Sequence, residues 1–451
     1  VDVIATPKLV EYWTGNEIEK FKSLAGAFLS LSMLFSIVLA IVVFFGGEYL
    51  SNIAVGFTEE KKERLSESFI WILPVVIFYI PFHVLGAVFR AVRNFSIVYR
   101  AEFIYTIIIC LTVANYKDTS MVLFWSMNLG LIGATLYLLI SSRKYLKIDK
   151  NIISDDLRNC LRIAPSLFLL QVVHYSYVLV DRMYISYLDD GSVGALAYGF
   201  AVAQLLQVLM FFEGGFMTIF AEKKHDISSK NEVVNHLLSF VIYIGVPCGL
   251  VLGVWGEGII GILLQRGLFS DSSTGLVADG LLGFSLVVIP LLIMGPIDQI
   301  FQVENRLSVI VWRNIVGLVL NIILNAYFIF ILNWGVFGVA LATSLSYWGM
   351  ILSALISLRK LNITVTWGKH LMWSGWLLCI SVLAILSCYR IFGVENSLEW
   401  MIVQIIFYGL VIFFGGYFYW GHERVLIRET LHRLIPVRFK MKPISDIDKR
   451  T

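Results

Sequence analysis

The sequence predicts an all-α, polytopic membrane protein with about 12 transmembrane helices, and three observations lead to that class. Roughly a dozen apolar stretches, each near the ~20 residues that cross a bilayer at 1.5 Å rise, fill the chain almost end to end. Leu24 to Phe45 is the cleanest of them and carries no charge. Charged residues make up 15% of the 451 and hydrophobic residues 58%, with a mean hydropathy of +0.80, whereas soluble domains carry about 25% charge. The runs are continuously apolar rather than alternating, which excludes a β-barrel, the other architecture that satisfies its backbone in lipid.

In order, spans are predicted near residues 24–45, 69–89, 102–115, 120–140, 163–187, 193–220, 237–254, 276–302, 309–332, 334–357, 371–393 and 399–420, each an apolar run bounded by charged or turn-forming residues. Counting Lys and Arg in alternate loops gives roughly 28 on the side of the amino terminus and roughly 6 on the other, which places both termini in the cytoplasm. Arg143, Lys144, Lys147, Lys150, Arg158 and Arg162 supply much of that charge in a central connection. A basic tail from Arg424 to Arg450 adds the rest; it anchors topology, with anionic lipid contact as the lesser expectation. Cys110, Cys160, Cys248, Cys379 and Cys388 show no metal-type spacing and read as small packing residues.

A weak duplication at a separation of about 212 to 216 residues indicates two parallel lobes. PVVIFYIPFHVLGAVFRAVRNFSIVYR from Pro74 matches PLLIMGPIDQIFQVENRLSVIVWR from Pro290, and WSMNLGLIGATLYLLISSRK from Trp125 resembles LNWGVFGVALATSLSYWGMILSALISLRK from Leu332. The expected organisation is an incomplete N-lobe over 1–150 with four spans, a C-lobe over 151–360 with six, an extra pair of spans over 361–421 and the tail 422–451. Two first-lobe spans are expected to precede the polar opening VDVIATPKLVEYWTGNEIEKFK, in a parent plan of six, six and two.

That plan and several strings resemble the MurJ or MviN family of lipid II flippases, within the superfamily of multidrug, oligosaccharide-lipid and polysaccharide exporters. The strings are LVDRMYISYLDDGSVGALAYG from Leu179, LLQRGLFSDSSTGLVADGLLGFSLVVIP from Leu263 and, more loosely, GVFGVALATSLS from Gly335. The resemblance implies two lobes around a central cavity in a bacterial inner membrane, moving an undecaprenyl-pyrophosphate-linked saccharide to the periplasmic leaflet by alternating access. It implies that the last two helices line a groove for the lipid tail. Partners would be that lipid-linked saccharide, the bacterial membrane lipids and the cell-wall or polysaccharide synthesis machinery, with no nucleic acid. The rival reading is an exporter of another polyprenyl-linked oligosaccharide for capsule or exopolysaccharide. The family pattern YxxRLxxxPxG falls here on Tyr198, Ala201, Val202, Leu206 and Val208, so the family's arginine is Ala201. No span carries an enzyme's HExxH, Cys-His or paired-carboxylate constellation.

Intramembrane ionisable groups are functional candidates by default. Arg182, Glu213 and Asp298, with Gln204, are assigned to a substrate cavity, although Arg182 also suits a snorkelling position and Asp298 a solvated helix end. Asp181 lies roughly 9 Å inside the periplasmic end of its span, Asn325 roughly 10 Å, Thr343 roughly 13 Å and Asn321 roughly 16 Å. Asn321 and Asn325 share a helix face, as do Val339 and Thr343. Carboxylate, amide, hydroxyl and carbonyl oxygens at similar depth suit a hard monovalent cation, so the one cofactor expected is a sodium ion. The resembling family has a sodium site at the corresponding positions, commonly with aspartate where this chain has Asn325. The alternative is that Asp181 pairs with Arg182 while the asparagines bond helix to helix.

Overall fold

In hydrocarbon every backbone N–H and C=O needs a partner within its own segment, so apolar runs become helices. A computed structural model of the chain describes residues 2–116, 121–147, 155–162, 164–210, 227–267, 269–304, 306–392 and 398–419, and all regular structure among them is helical. Nine helical segments among the described residues are long and apolar enough to cross a membrane. Packing divides the chain into two units, Val1–Val172 and Val173–Thr451.

The first unit contains α1 (Asp2–Thr14), α2 (Ile18–Ser51), α3 (Glu59–Ala91), α4 (Phe95–Asn115), α5 (Val122–Ser142) and the short α6 (Asp155–Leu161). The polar opening contains a helix because Ala5, Leu9 and Tyr12 recur at helical spacing and bury against Phe21, Leu24, Val84 and Val88 of α2 and α3. Leu157 of α6 joins the same cluster, and the Tyr12 hydroxyl donates to Asp156 at 2.5 Å. Burial first, then that carboxylate, pushes the Tyr12 phenol above its ordinary range. These contacts attach the central connection to the first unit, so the division between units falls inside α7 (Ala164–Ile185), beyond the boundary expected at 150. α4 buries only Val98 and Ala101 and turns Tyr99, Phe103 and Ile107 outward, the disposition lipid contact requires.

Most of α7 belongs to the second unit, followed by α8 (Ser192–Gln204), α9 (Ile227–Val254), α10 (Gly256–Leu264), α11 (Asp271–Phe284), α12 (Val288–Val303), α13 (Leu307–Ala326), α14 (Gly335–Leu358), α15 (Trp367–Phe392) and α16 (Leu398–Tyr419). The span expected at 193–220 is described as far as Met210, and the expected tail 422–451 lies outside the described residues. The extra pair α15–α16 packs on α9 and α10 through Trp255, Cys388, Met401 and Tyr408, with the Trp255 indole donating to Gln404 at 2.8 Å. At the other end of α9, Asn231 and Asn235 hold the segment leading into α15. Asn231 accepts from the Thr364 amide and Asn235 from the Thr366 amide, each at 2.8 Å.

The duplication is visible in the backbone. α3 ends at Ala91 and α4 begins at Phe95, while α12 ends at Val303 and α13 begins at Leu307, so both ends differ by 212 positions. Pro74 and Pro81 lie inside α3, as Pro290 and Pro296 lie along α12.

Candidate functional site

A stripe of polar residues inside the second unit forms the candidate site. Along α13 the buried positions are Ile310, Arg313, Asn314, Gly317, Asn321 and Asn325. Their three- and four-residue spacing puts them on one face. Tyr177, Asp181 and Ile185 recur every four residues on α7 and are buried. On α14, Val339, Thr343, Ser346 and Met350 are among the buried positions, and the small residues among them and their neighbours let the backbones approach.

These three helices bring Asp181, Asn321, Asn325 and Thr343 into one network. Asp181 Oδ1 accepts from Asn321 Nδ2 at 3.0 Å and from Asn325 Nδ2 at 2.9 Å, while Oδ2 accepts from Thr343 Oγ1 at 2.7 Å. Thr343 Oγ1 also lies 3.1 Å from the Val339 carbonyl; its single proton serves one of these acceptors at a time. Asn321 and Asn325 are both 0% exposed, and the Oδ1 atom of each is buried with no hydrogen-bond partner among the described residues. An unsatisfied buried acceptor costs about 1–3 kcal/mol. Two stranded amide oxygens beside a buried carboxylate are what a hard cation would satisfy. Turning an amide over exchanges donor for acceptor at nearly the same place, so the residues that donate to Asp181 here can also present oxygens to an ion.

Among the described residues, Arg182, Gln204 and Asp298 have separate surroundings. The Arg182 guanidinium donates to the Val193 carbonyl at 2.5 Å, tying α7 to the first turn of α8. Gln204 is exposed at the end of α8, and Glu213 lies outside the described residues. Asp298, near the end of α12, is paired: both its oxygens accept from Arg313, Oδ2 at 3.0 Å from Nη2. The Arg313 side chain is 3% exposed and that of Asp298 23%, so this is a part-buried ion pair within two of the apolar helical segments. Sequence reading did not single out Arg313. The available signal was positional, because Asp298 stands five residues before the end of α12 and Arg313 six after the start of α13, opposite charges at matching depth across a short turn. A second part-buried pair, Lys230 with Glu304 at 2.7 Å, lies beside that turn.

A family model for the lipid II flippase MurJ matches residues 6–411. The chain is 21% identical over 413 residues to a probable lipid II flippase MurJ of Rickettsia prowazekii (strain Madrid E), covering 86% of this chain and 80% of that protein. Its fold is similar to a solved lipid II flippase MurJ in an inward closed conformation, with a TM-score of 0.77 at 21% identity, over 94% of this chain and 88% of the other. An inward-facing multidrug transporter of the MATE family is similar at a TM-score of 0.66 and 11% identity, over 80% and 86% of the two chains.

Proposed function

The chain belongs to the lipid II flippase MurJ family, and we propose that it carries lipid II, an undecaprenyl-pyrophosphate-linked saccharide, from the cytoplasmic to the periplasmic leaflet of a bacterial inner membrane. No bond is made or broken. The task is to move a polar, anionic head through hydrocarbon, where one charge costs at least about 2.5–3.5 kcal/mol on insertion scales. A hydrated cavity between alternating arrangements removes that cost while the tail stays in lipid. The observation that carries this reading is the family match across residues 6–411. The positive-inside charge pattern supports cytoplasmic termini and outward transport. Ala201 stands where the family pattern has arginine, so head-group contacts must come from other residues.

The Asp181 cluster is proposed as the cation site of this flippase. Asp181, Asn321, Asn325, Thr343 and the Val339 carbonyl would hold a sodium ion, whose charge would neutralise the buried carboxylate and satisfy the stranded amide oxygens. Because these residues sit on α7, α13 and α14, closing the cluster draws three helices together. That biases transport only if the two arrangements of the protein hold the ion with different affinity. Asn325 in place of a second carboxylate leaves the site with one formal charge and predicts weak binding.

Expression in a strain depleted of its own lipid II flippase tests the substrate: growth is expected to be restored. Failure there, together with movement of a different polyprenyl-linked saccharide and not lipid II in reconstituted vesicles, would overturn it.

A further inference from the structure

The polar stripe of α13 continues past the Asp181 cluster. It runs from Asn325 and Asn321 through Asn314 to the Arg313–Asp298 pair near the 304–306 turn. Buried polar groups along most of a membrane helix mark a route for ions or water. A route open at both ends would leak cations across the bilayer, so something must interrupt it.

Tyr177 stands in the gap. It lies one turn from Asp181 on the same face of α7, is 4% exposed, and its hydroxyl donates to the Asn314 carbonyl. Its ring meets that of Tyr347 edge-on, centroids 6.1 Å apart, and Tyr347 lies one turn from Thr343 on α14. The layer closes tightly because position 317 is glycine: a Cβ there would collide with the Tyr177 hydroxyl and the Met350 side chain. Behind it lies the Arg313 guanidinium, 3% exposed and held by both oxygens of Asp298.

We propose that Tyr177, backed by Tyr347, seals the Asp181 cluster from the 304–306 turn, so that the cluster exchanges with water only through its end nearest the α7–α8 loop. Tyr177 is a positioning and sealing residue, not an ion ligand. The inference rests on reading the Asp181 cluster as a cation site, and it makes that site report on one compartment.

The test is accessibility. In the full chain with its five cysteines replaced, Asn321→Cys is the reporter, and a small charged methanethiosulfonate is applied from each side of oriented vesicles; Arg306→Cys identifies the side of the turn. With Tyr177 intact, labelling from the turn side is expected at background. Tyr177→Ala should raise it about tenfold or more by opening a void that water can enter, and Tyr177→Phe, which keeps the ring, should stay within about twofold of background. Tyr347→Ala removes the other half of the layer and serves where Tyr177→Ala does not accumulate. Strong labelling from the turn side with both tyrosines present, or none after either alanine substitution, overturns the seal. Labelling needs no sodium, so failure of the cation assignment and failure of the seal are read separately.

Discussion

At a separation of 212 positions the hairpins α3–α4 and α12–α13 share one backbone and differ in what fills it. Asn94 and Arg306 each donate a backbone N–H five residues back, to Phe89 at 2.9 Å and Phe301 at 2.7 Å, and both phenylalanines are fully buried. These bonds satisfy the orphan carbonyls of a helix end in the same way twice. Moving by the same 212 positions, Asp298 falls on Gly86, Arg313 on Ala101, Asn321 on Ile109 and Asn325 on Val113. At these positions the first hairpin carries small and apolar side chains, of which Gly86 and Ala101 are buried and Val113 faces outward, whereas the second carries an ion pair and two buried amides. Turn geometry therefore belongs to the scaffold, while among these matched positions the part-buried ion pair and the buried amides stand in the second copy.

The largest break in that contrast is expected at the ion pair. Asp298→Asn strands a buried guanidinium and should destabilise the protein by about 3–5 kcal/mol, measured by denaturation in detergent. Arg313→Met should be milder, because the Asp298 side chain is 23% exposed and keeps some water, and the double substitution milder than Asp298→Asn alone. A smaller effect separates two glycines. Gly317→Ala forces a Cβ into Met350 and Tyr177 and should cost about 1–3 kcal/mol. Gly86→Ala meets the guanidinium end of Arg90 at 3.2 Å, a side-chain tip that needs to give by only a few tenths of an ångström, and should change stability by less than about 0.5 kcal/mol, since helix propensity favours alanine. Equal costs at the two glycines would mean that the second hairpin is no more tightly committed than the first.

Much of this fold is legible in the sequence for one reason: lipid leaves the backbone no alternative to helices, so hydropathy reports the elements directly. The Asp181 set is legible because depth along a helix is countable, and four oxygens at similar depth invite comparison. α1 is not legible by that rule. Its helix depends on Ala5, Leu9 and Tyr12 finding a surface on α2 and α3, a tertiary gain that no single segment displays. Arg313 is hidden for a related reason, since a cation near a helix start reads as an interfacial anchor until its partner on the preceding helix is seen. Tyr177 carries no charge in an apolar run and becomes meaningful only beside Gly317 and Asn314.

The sodium dependence of stability addresses the Asp181 cluster most directly. Purified protein is heated in matched sodium and potassium solutions, and its unfolding temperature should rise with the logarithm of sodium concentration but not with potassium, as linkage requires of an ion that binds the folded state. Asp181→Asn should remove that rise, whereas Asp298→Asn, though less stable throughout, should retain it. No advantage of sodium over potassium in the unmodified protein, or an undiminished advantage in Asp181→Asn, would contradict a cation site there and leave Asp181 as a carboxylate that binds helices together.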